Sequence, residues 1–217
     1  MTPLFLPCAA GAEALLADEC AALLGIDRHV MAADPRERAV VEQRGGVQVR
    51  GDVWLAMRLN LHSRLAQRVL WPLAHGPYAN EDDLYALARS VRWRDWITPE
   101  QTLRIDTSAQ RSPLKSLNFA TLRVKDAVCD TVREAAGARP SVDTRNPDLP
   151  LAVHLGPTHA TLYVDTSGQP LFKRGWRDER HGRGGAGEAP LKETLAATLP
   201  AAAGWRGRAE DGPLFDP

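Results

Sequence analysis

Apolar positions along this chain recur now at a strand-like period of two, now at a helix-like period of 3.6, and the switches mark its elements. A short apolar run at 5–8 predicts a strand. Beyond Gly11, the residues Ala12, Leu16, Cys20 and Leu23/Leu24 recur at helical spacing, with Glu13, Asp18 and Glu19 directed elsewhere, and Gly25 is placed to end that helix. Brief β-like runs at 29–32 and 39–43 flank the polar turn Asp34-Pro35-Arg36-Glu37. Gly45-Gly46 leads into the alternating Val47, Gln48, Val49 and Arg50, a further strand. Gly51-Asp52 then opens a helix in which Val53/Trp54, Met57 and Leu61 share a face, and residues 68–73 predict a strand that closes the unit. The order β-α-β-β-α-β over 4–75 is that of a ferredoxin-like split βαβ sandwich.

The second half repeats the alternation on a larger scale. Leu84, Leu87, Ala88 and Val91 form a helical stripe after the acidic start Asn80-Glu81-Asp82-Asp83. Residues 102–109 alternate as a strand. Ser116 is placed to cap a long helix with Ala120, Val124, Ala127/Val128, Thr131 and Ala135 as its buried stripe, stopped by Gly137 and Pro140. Residues 151–155 and 161–165 flank Gly156-Pro157-Thr158-His159 as a hairpin, and 171–175 predicts one more strand. From 177 to 188 the composition turns to Arg, Gly and acidic residues, which reads as a linker. Pro190 suits a first helical position; Leu191, Leu195 and Leu199 follow at i, i+4, i+8, and Pro200 is expected to end or kink that helix.

Composition narrows the class. The chain has 217 residues, 44% of them hydrophobic and 25% charged, enough for a buried core. Its 27 basic side chains balance 27 acidic ones, so any electrostatic footprint has to be local. No apolar run reaches the ~18 residues of a membrane helix, the start lacks a basic signal region, and the three cysteines are odd in number and far apart. A cytosolic, soluble protein is expected, with Cys20 and Cys129 as packing residues.

Most catalytic constellations are missing from the sequence. The histidines form no i, i+3 or i, i+4 pair and no CxxC occurs, so a metal is not expected. Gly182-Arg183-Gly184-Gly185-Ala186-Gly187 satisfies GxGxxG, but the residues before it are wholly polar, where a dinucleotide turn needs a buried strand. Local positive charge is the stronger signal. Between Asp106 and Asp126 lie Arg111, Lys115, Arg123 and Lys125 without an acidic residue, together with Ser112, Ser116 and Asn118 beside a helix start. A second cluster holds Lys173, Arg174, Arg177, Arg180 and Arg183 around Trp176, an indole able to stack on a base. From charge alone, RNA binding and a merely solvated basic face are equal readings.

Several stretches in order resemble a known family. Phe5-Leu6-Pro7-Cys8 with Gly11-Ala12-Glu13-Ala14-Leu15-Leu16, then Gly45-Gly46-Val47, Arg64-Leu65-Ala66-Gln67-Arg68-Val69 and Val124-Lys125-Asp126-Ala127-Val128 are similar to bacterial RNA guanine-N2 methyltransferases that carry a THUMP domain. So are Val164-Asp165-Thr166-Ser167-Gly168 with Lys173-Arg174-Gly175-Trp176-Arg177, where Trp176 replaces the usual tyrosine, and the segment from Ala189 to Ala197. The large-subunit (23S) rRNA enzymes are the nearest type.

The resemblance implies an α+β chain: a ferredoxin-like region at 1–54, its last helix and strand extending to about 75, a THUMP domain at 55–168, and at 169–217 a linker with the start of a truncated Rossmann-like methyltransferase domain. It implies 23S rRNA as partner, with a tRNA substrate or a protein-interaction role as alternatives. It also implies S-adenosylmethionine for the full-length family and none on this fragment, which is expected to be a monomer and inactive alone. The RNA contacts expected are Arg111, Lys115, Ser116, Asn118, Arg123, Lys125, Lys173, Arg174, Trp176 and Arg177. Pro190, Lys192, Glu193, Thr194 and Asp216 are the positions that the resemblance places on the cofactor side. Leu214-Phe215-Asp216-Pro217 matches the opening of the family's first methyltransferase motif.

Overall fold

The structure, a computed structural model, describes residues 1–26, 38–174, 191–205, 207 and 209–213. They belong to two compact units, one of 1–69 with 169–217 and the other of 70–168. The expected run at 29–32, the linker at 177–188 with its GxGxxG match, and 214–217 lie outside the described residues.

In the first unit, β3 (Gly46–Gly51) lies between β1 (Thr2–Pro7) and β2 (Val40–Gln43), antiparallel to both, with Val49 opposite Leu4 on one side and Val40 on the other. α1 (Glu13–Leu24) turns Leu16, Ala17, Cys20 and Ala21 inward and ends on Gly25, whose φ of 69° is left-handed backbone that favours glycine. α2 (Val53–His62) begins at Asp52, whose side chain accepts the Leu55 amide at 2.9 Å.

In α2 the apolar face read from the sequence is not the buried one. Leu55, Ala56 and Leu59 pack inward, while Val53, Trp54, Met57 and Leu61 are exposed. The helix carries two apolar stripes of similar period, and periodicity does not choose between them. Residues 171 and 172 form a turn rather than the start of a strand, and α5 (Glu193–Ala202) continues past Pro200. The leucines spaced at i, i+4 and i+8, Leu191, Leu195 and Leu199, are exposed, and the buried residues of α5 are Thr194 and Thr198.

In the second unit the strands run β4-β8-β7-β5-β6, from β4 (Leu70–Pro77), β8 (His159–Asp165), β7 (Leu149–Leu155), β5 (Thr102–Ala109) and β6 (Ser141–Val142). β5 is parallel to β6 and β7, and the β7–β8 and β8–β4 pairs are antiparallel. The strand expected at 68–73 is found as β4, starting at Leu70, where the second unit begins. α3 (Glu81–Arg89) starts with a reciprocal cap between Asn80 and Asp83. α4 (Leu117–Ala136) places Ala120, Val124, Ala127, Val128, Cys129 and Val132 in the core against Leu103, Leu151, Val153, Leu155 and Leu162. Of the expected stripe, Thr131 is half-buried and Ala135 exposed, because the last turn of α4 runs beyond the sheet's cover.

Candidate nucleic-acid interface

The loop between β5 and α4 is built by hydrogen bonds that hold its ends and leave its middle in solvent. The Gln110 amide donates to the Leu155 carbonyl at 2.8 Å, extending the β5–β7 ladder, and Arg111 then takes a left-handed φ of 56° that turns the chain. Ser112 Oγ accepts the Leu114 amide at 3.2 Å and lies 2.8 Å from the Tyr78 hydroxyl, which donates to the Gly156 carbonyl at 2.6 Å. Buried Tyr78 therefore ties this loop to the β7–β8 hairpin. Ser116 caps α4 by accepting the Phe119 amide at 3.2 Å. Arg111, Lys115, Ser116 and Asn118 are all exposed, and among the described residues Arg111 and Lys115 form no ion pair. Leu117, Phe119 and Leu122 are exposed beside them.

The other basic candidates are arranged differently. Arg123 reaches Asp82 of α3 at 2.5 Å and lies 4.4 Å above the Tyr85 ring, so its guanidinium locks α3 to α4. Lys125 pairs with Asp126 at 2.7 Å. At about 100° per residue, Arg123 and Lys125 stand roughly 200° apart around α4, on opposite flanks of its buried stripe. The structure thus brings together Arg111, Lys115, Ser116 and Asn118 and separates Arg123 from Lys125.

Arg174 serves the first unit. Its guanidinium donates to the carbonyls of Asn60 (2.9 Å), Leu61 (2.5 Å) and Ser63 (2.7 Å) at the C-terminus of α2, and to Leu171 (2.9 Å) in its own turn. Its guanidinium thus caps a helix, and a fork turned onto carbonyls presents few donors to a phosphate. Lys173 beside it is exposed; Trp176 and Arg177 lie outside the described residues. The same corner is fixed by Glu19, whose carboxylate accepts from the Ser63 hydroxyl (2.7 Å) and from the amides of Arg64 (2.9 Å) and Leu65 (3.3 Å).

Of the cofactor-side positions, Lys192 places its ammonium 4.4 Å over the Phe172 ring, while Glu193 and Thr194 line a cavity of about 340 Å³ with Ser63, Leu171, Phe172 and Arg174. Thr194 Oγ1 is buried without a partner among the described residues. A nucleoside cofactor of this class is held at the turn between a parallel strand and a helix, and among the described residues no strand leads into α5, so these residues do not by themselves fit S-adenosylmethionine. Pro190 and Asp216 lie outside the described residues. The cysteines are buried thiols, and burial pushes Cys8 up to about 11, with the Glu13 charge adding to it. Among the described residues no cluster suited to a metal ion occurs, and no helix is long and apolar enough to cross a membrane.

Tyr78 and Glu19 were not singled out from the sequence. Neither carries a local signal for its role, because their partners lie 34 to 78 and 44 to 46 positions away.

Comparison with known proteins agrees with both units. Residues 3–70 match the RlmL ferredoxin-like domain and residues 78–165 match the THUMP domain. The chain carries a THUMP domain preceded by an RlmL ferredoxin-like domain. It is 41% identical over 215 residues to the ribosomal RNA large subunit methyltransferase K/L of Pseudomonas aeruginosa, aligning 99% of this chain with 27% of that protein. The chain therefore spans about a quarter of the length of the curated relatives it matches. Among solved structures, a predicted N6-adenine-specific DNA methylase from Listeria monocytogenes is 27% identical, with a TM-score of 0.72 over 91% of this chain and 47% of the other. SMU.472 complexed with SAH shares the fold at a TM-score of 0.74 and 22% identity, over 94% of this chain and 49% of the other. The Tyr78 anchor opens the matched THUMP segment, and the loop carrying Arg111 and Lys115 lies inside it.

Proposed function

We propose that this chain is the RNA-docking part of a 23S rRNA guanine-N2 methyltransferase, with the THUMP domain gripping structured RNA. The observation that carries this is the exposed set Arg111, Lys115, Ser116 and Asn118 held on a loop pinned by Tyr78. Two cations without an ion pair among the described residues, beside capping hydroxyl and amide side chains, suit ribose-phosphate, which is recognised by charge and shape rather than base sequence. The similarity to a ribosomal RNA large subunit methyltransferase over nearly the whole chain supports the choice of rRNA and of methyl transfer for the full-length protein.

In the full-length protein S-adenosylmethionine would supply the methyl group. In this reading the chain binds and orients RNA, and methyl transfer is left to the rest of the full-length protein. Anisotropy titration with a labelled 23S rRNA fragment at two salt concentrations tests the docking role. A complex is expected that weakens with salt, and in the R111A/K115A double variant the magnitude of the log–log salt slope should fall by about 1.4–1.8. An unchanged slope in that variant would remove the loop from the account. Methyl transfer by the chain alone would overturn the division of labour.

A further inference from the structure

Only one face of the second unit's sheet is covered by its own helices. Thr107 points toward α4, where its hydroxyl meets Thr121 at 2.6 Å, so Asp106 and Ser108 stand on the opposite face. The strand pairing carries that face across four strands in one row: Ser108 opposite His154, His154 opposite Thr161, and Thr161 opposite His75. This row is about 14 Å long at the usual strand spacing. It is made of imidazoles and hydroxyls. Ser108 Oγ lies 3.1 Å from His154 Nδ1, and Thr161 Oγ1 lies 2.9 Å from His75 Nδ1. His159, two positions along β8 on the same face, stacks on His75 with ring centroids 5.2 Å apart and planes 13° from parallel, and its Nδ1 lies 3.0 Å from Thr158 Oγ1. All three histidines are exposed.

The position of the row matters as much as its chemistry. His159 belongs to the hairpin whose Gly156 carbonyl receives the Tyr78 hydroxyl, and that hydroxyl also meets Ser112 in the loop bearing Arg111 and Lys115. The imidazole row and the basic loop therefore share one end of the sheet.

Resting on the RNA-docking reading, we infer that the open sheet face is a base-stacking platform for an unpaired RNA segment, which runs from the basic loop onto His159 and His75. Parallel stacked rings with their Nδ1 atoms held by threonines offer planar surfaces of fixed orientation, the geometry on which splayed bases stack. The ring planes are too nearly parallel for their in-plane lone pairs to converge on one metal ion. An aliphatic protein partner would meet a row of imidazole and hydroxyl groups in place of an apolar surface. A duplex would keep its bases stacked on each other and gain nothing from the rings.

The test compares an unpaired oligonucleotide of about ten nucleotides with an RNA duplex of the same length, both by anisotropy on the whole chain at pH 7.5. H75A/H159A is expected to weaken the unpaired oligonucleotide at least about fivefold and leave the duplex unchanged. H75F/H159F, which keeps planar rings, should retain binding, and R111A/K115A should weaken both RNAs. Normal oligonucleotide binding by H75A/H159A, with weakened binding by R111A/K115A, would overturn the platform and leave the docking role standing. A phenylalanine variant as weak as the alanine one would also overturn stacking. Failure of the unaltered chain to bind either RNA would remove the docking reading, and the platform with it.

Discussion

α4 of the THUMP domain and α5 of the first unit carry the same kind of leucine- or valine-bearing stripe in sequence and treat it in opposite ways. In α4 the stripe lies in the core, with Val124 and Val128 at 1% and 0% exposure; in α5 the leucines are exposed and two threonines face inward. The difference lies in what each helix has to cover. α4 runs beside a sheet whose inward positions, from Leu103 to Leu162, form one continuous apolar surface, and its 20 residues can follow it. α5 lies beside α1 and lines a cavity of about 340 Å³ with Leu171, Phe172 and Arg174, so no continuous apolar sheet faces it. Apolar period therefore marks a face without telling which way it turns. The arginines make the same point: Arg174 is bound to four carbonyls, and Arg111, an ordinary basic residue in the same sequence, stands in solvent.

The comparison can be broken at either helix. Val124→Ser should cost about 2–4 kcal/mol, since it removes buried methyl groups and buries a hydroxyl, and a urea unfolding midpoint reads it. Arg174→Ala should lower stability by about 1–2 kcal/mol as the α2 carbonyls lose their donors, with RNA affinity unchanged. Weakened RNA binding at normal salt slope in that variant would show that the guanidinium cap also shapes the interface. Tyr78→Phe should cost about 1 kcal/mol and weaken RNA binding together, because the loop loses its anchor to the hairpin.

A smaller effect is expected with pH. Although the residue reaches solvent, partial desolvation of the His154 ring against the sheet holds its pKa below the usual value near 6.5. The unfolded chain therefore takes up this proton first, so stability is fully present above about 6.5, falls as the pH drops below it, and levels off once the folded state is protonated as well. His154→Gln should flatten that part of a stability–pH profile. Least of all, Leu195→Ser should change stability by less than about 0.5 kcal/mol. A loss as large as that of Val124→Ser would erase the contrast between the two helices.

Much of the fold was legible in local patterns. The span of β5 at 102–109, the Ser116 cap, the acidic start of α3 and Gly25 at the end of α1 all depend on interactions within a few residues, and each reads directly from the chain. The candidate site was legible only in part. Charge clustering pointed to Arg111 and Lys115, but it grouped Arg123 and Lys125 with them, although helix geometry turns those two to opposite flanks.

Sequence by itself determined the span of β5, the ends of α1 and α4, the caps of α3 and α4, and that a basic loop precedes a long helix, because these follow from backbone sterics, capping and hydrogen bonding between near neighbours. Tertiary structure alone decided which of two apolar stripes α2 buries, that α5 exposes its leucines, that Arg174 caps a helix 111 to 114 positions away, and that three histidines from three strands meet on one face. Those outcomes depend on strand order and register, which bring far-separated residues within a few ångströms and leave no mark in the local pattern.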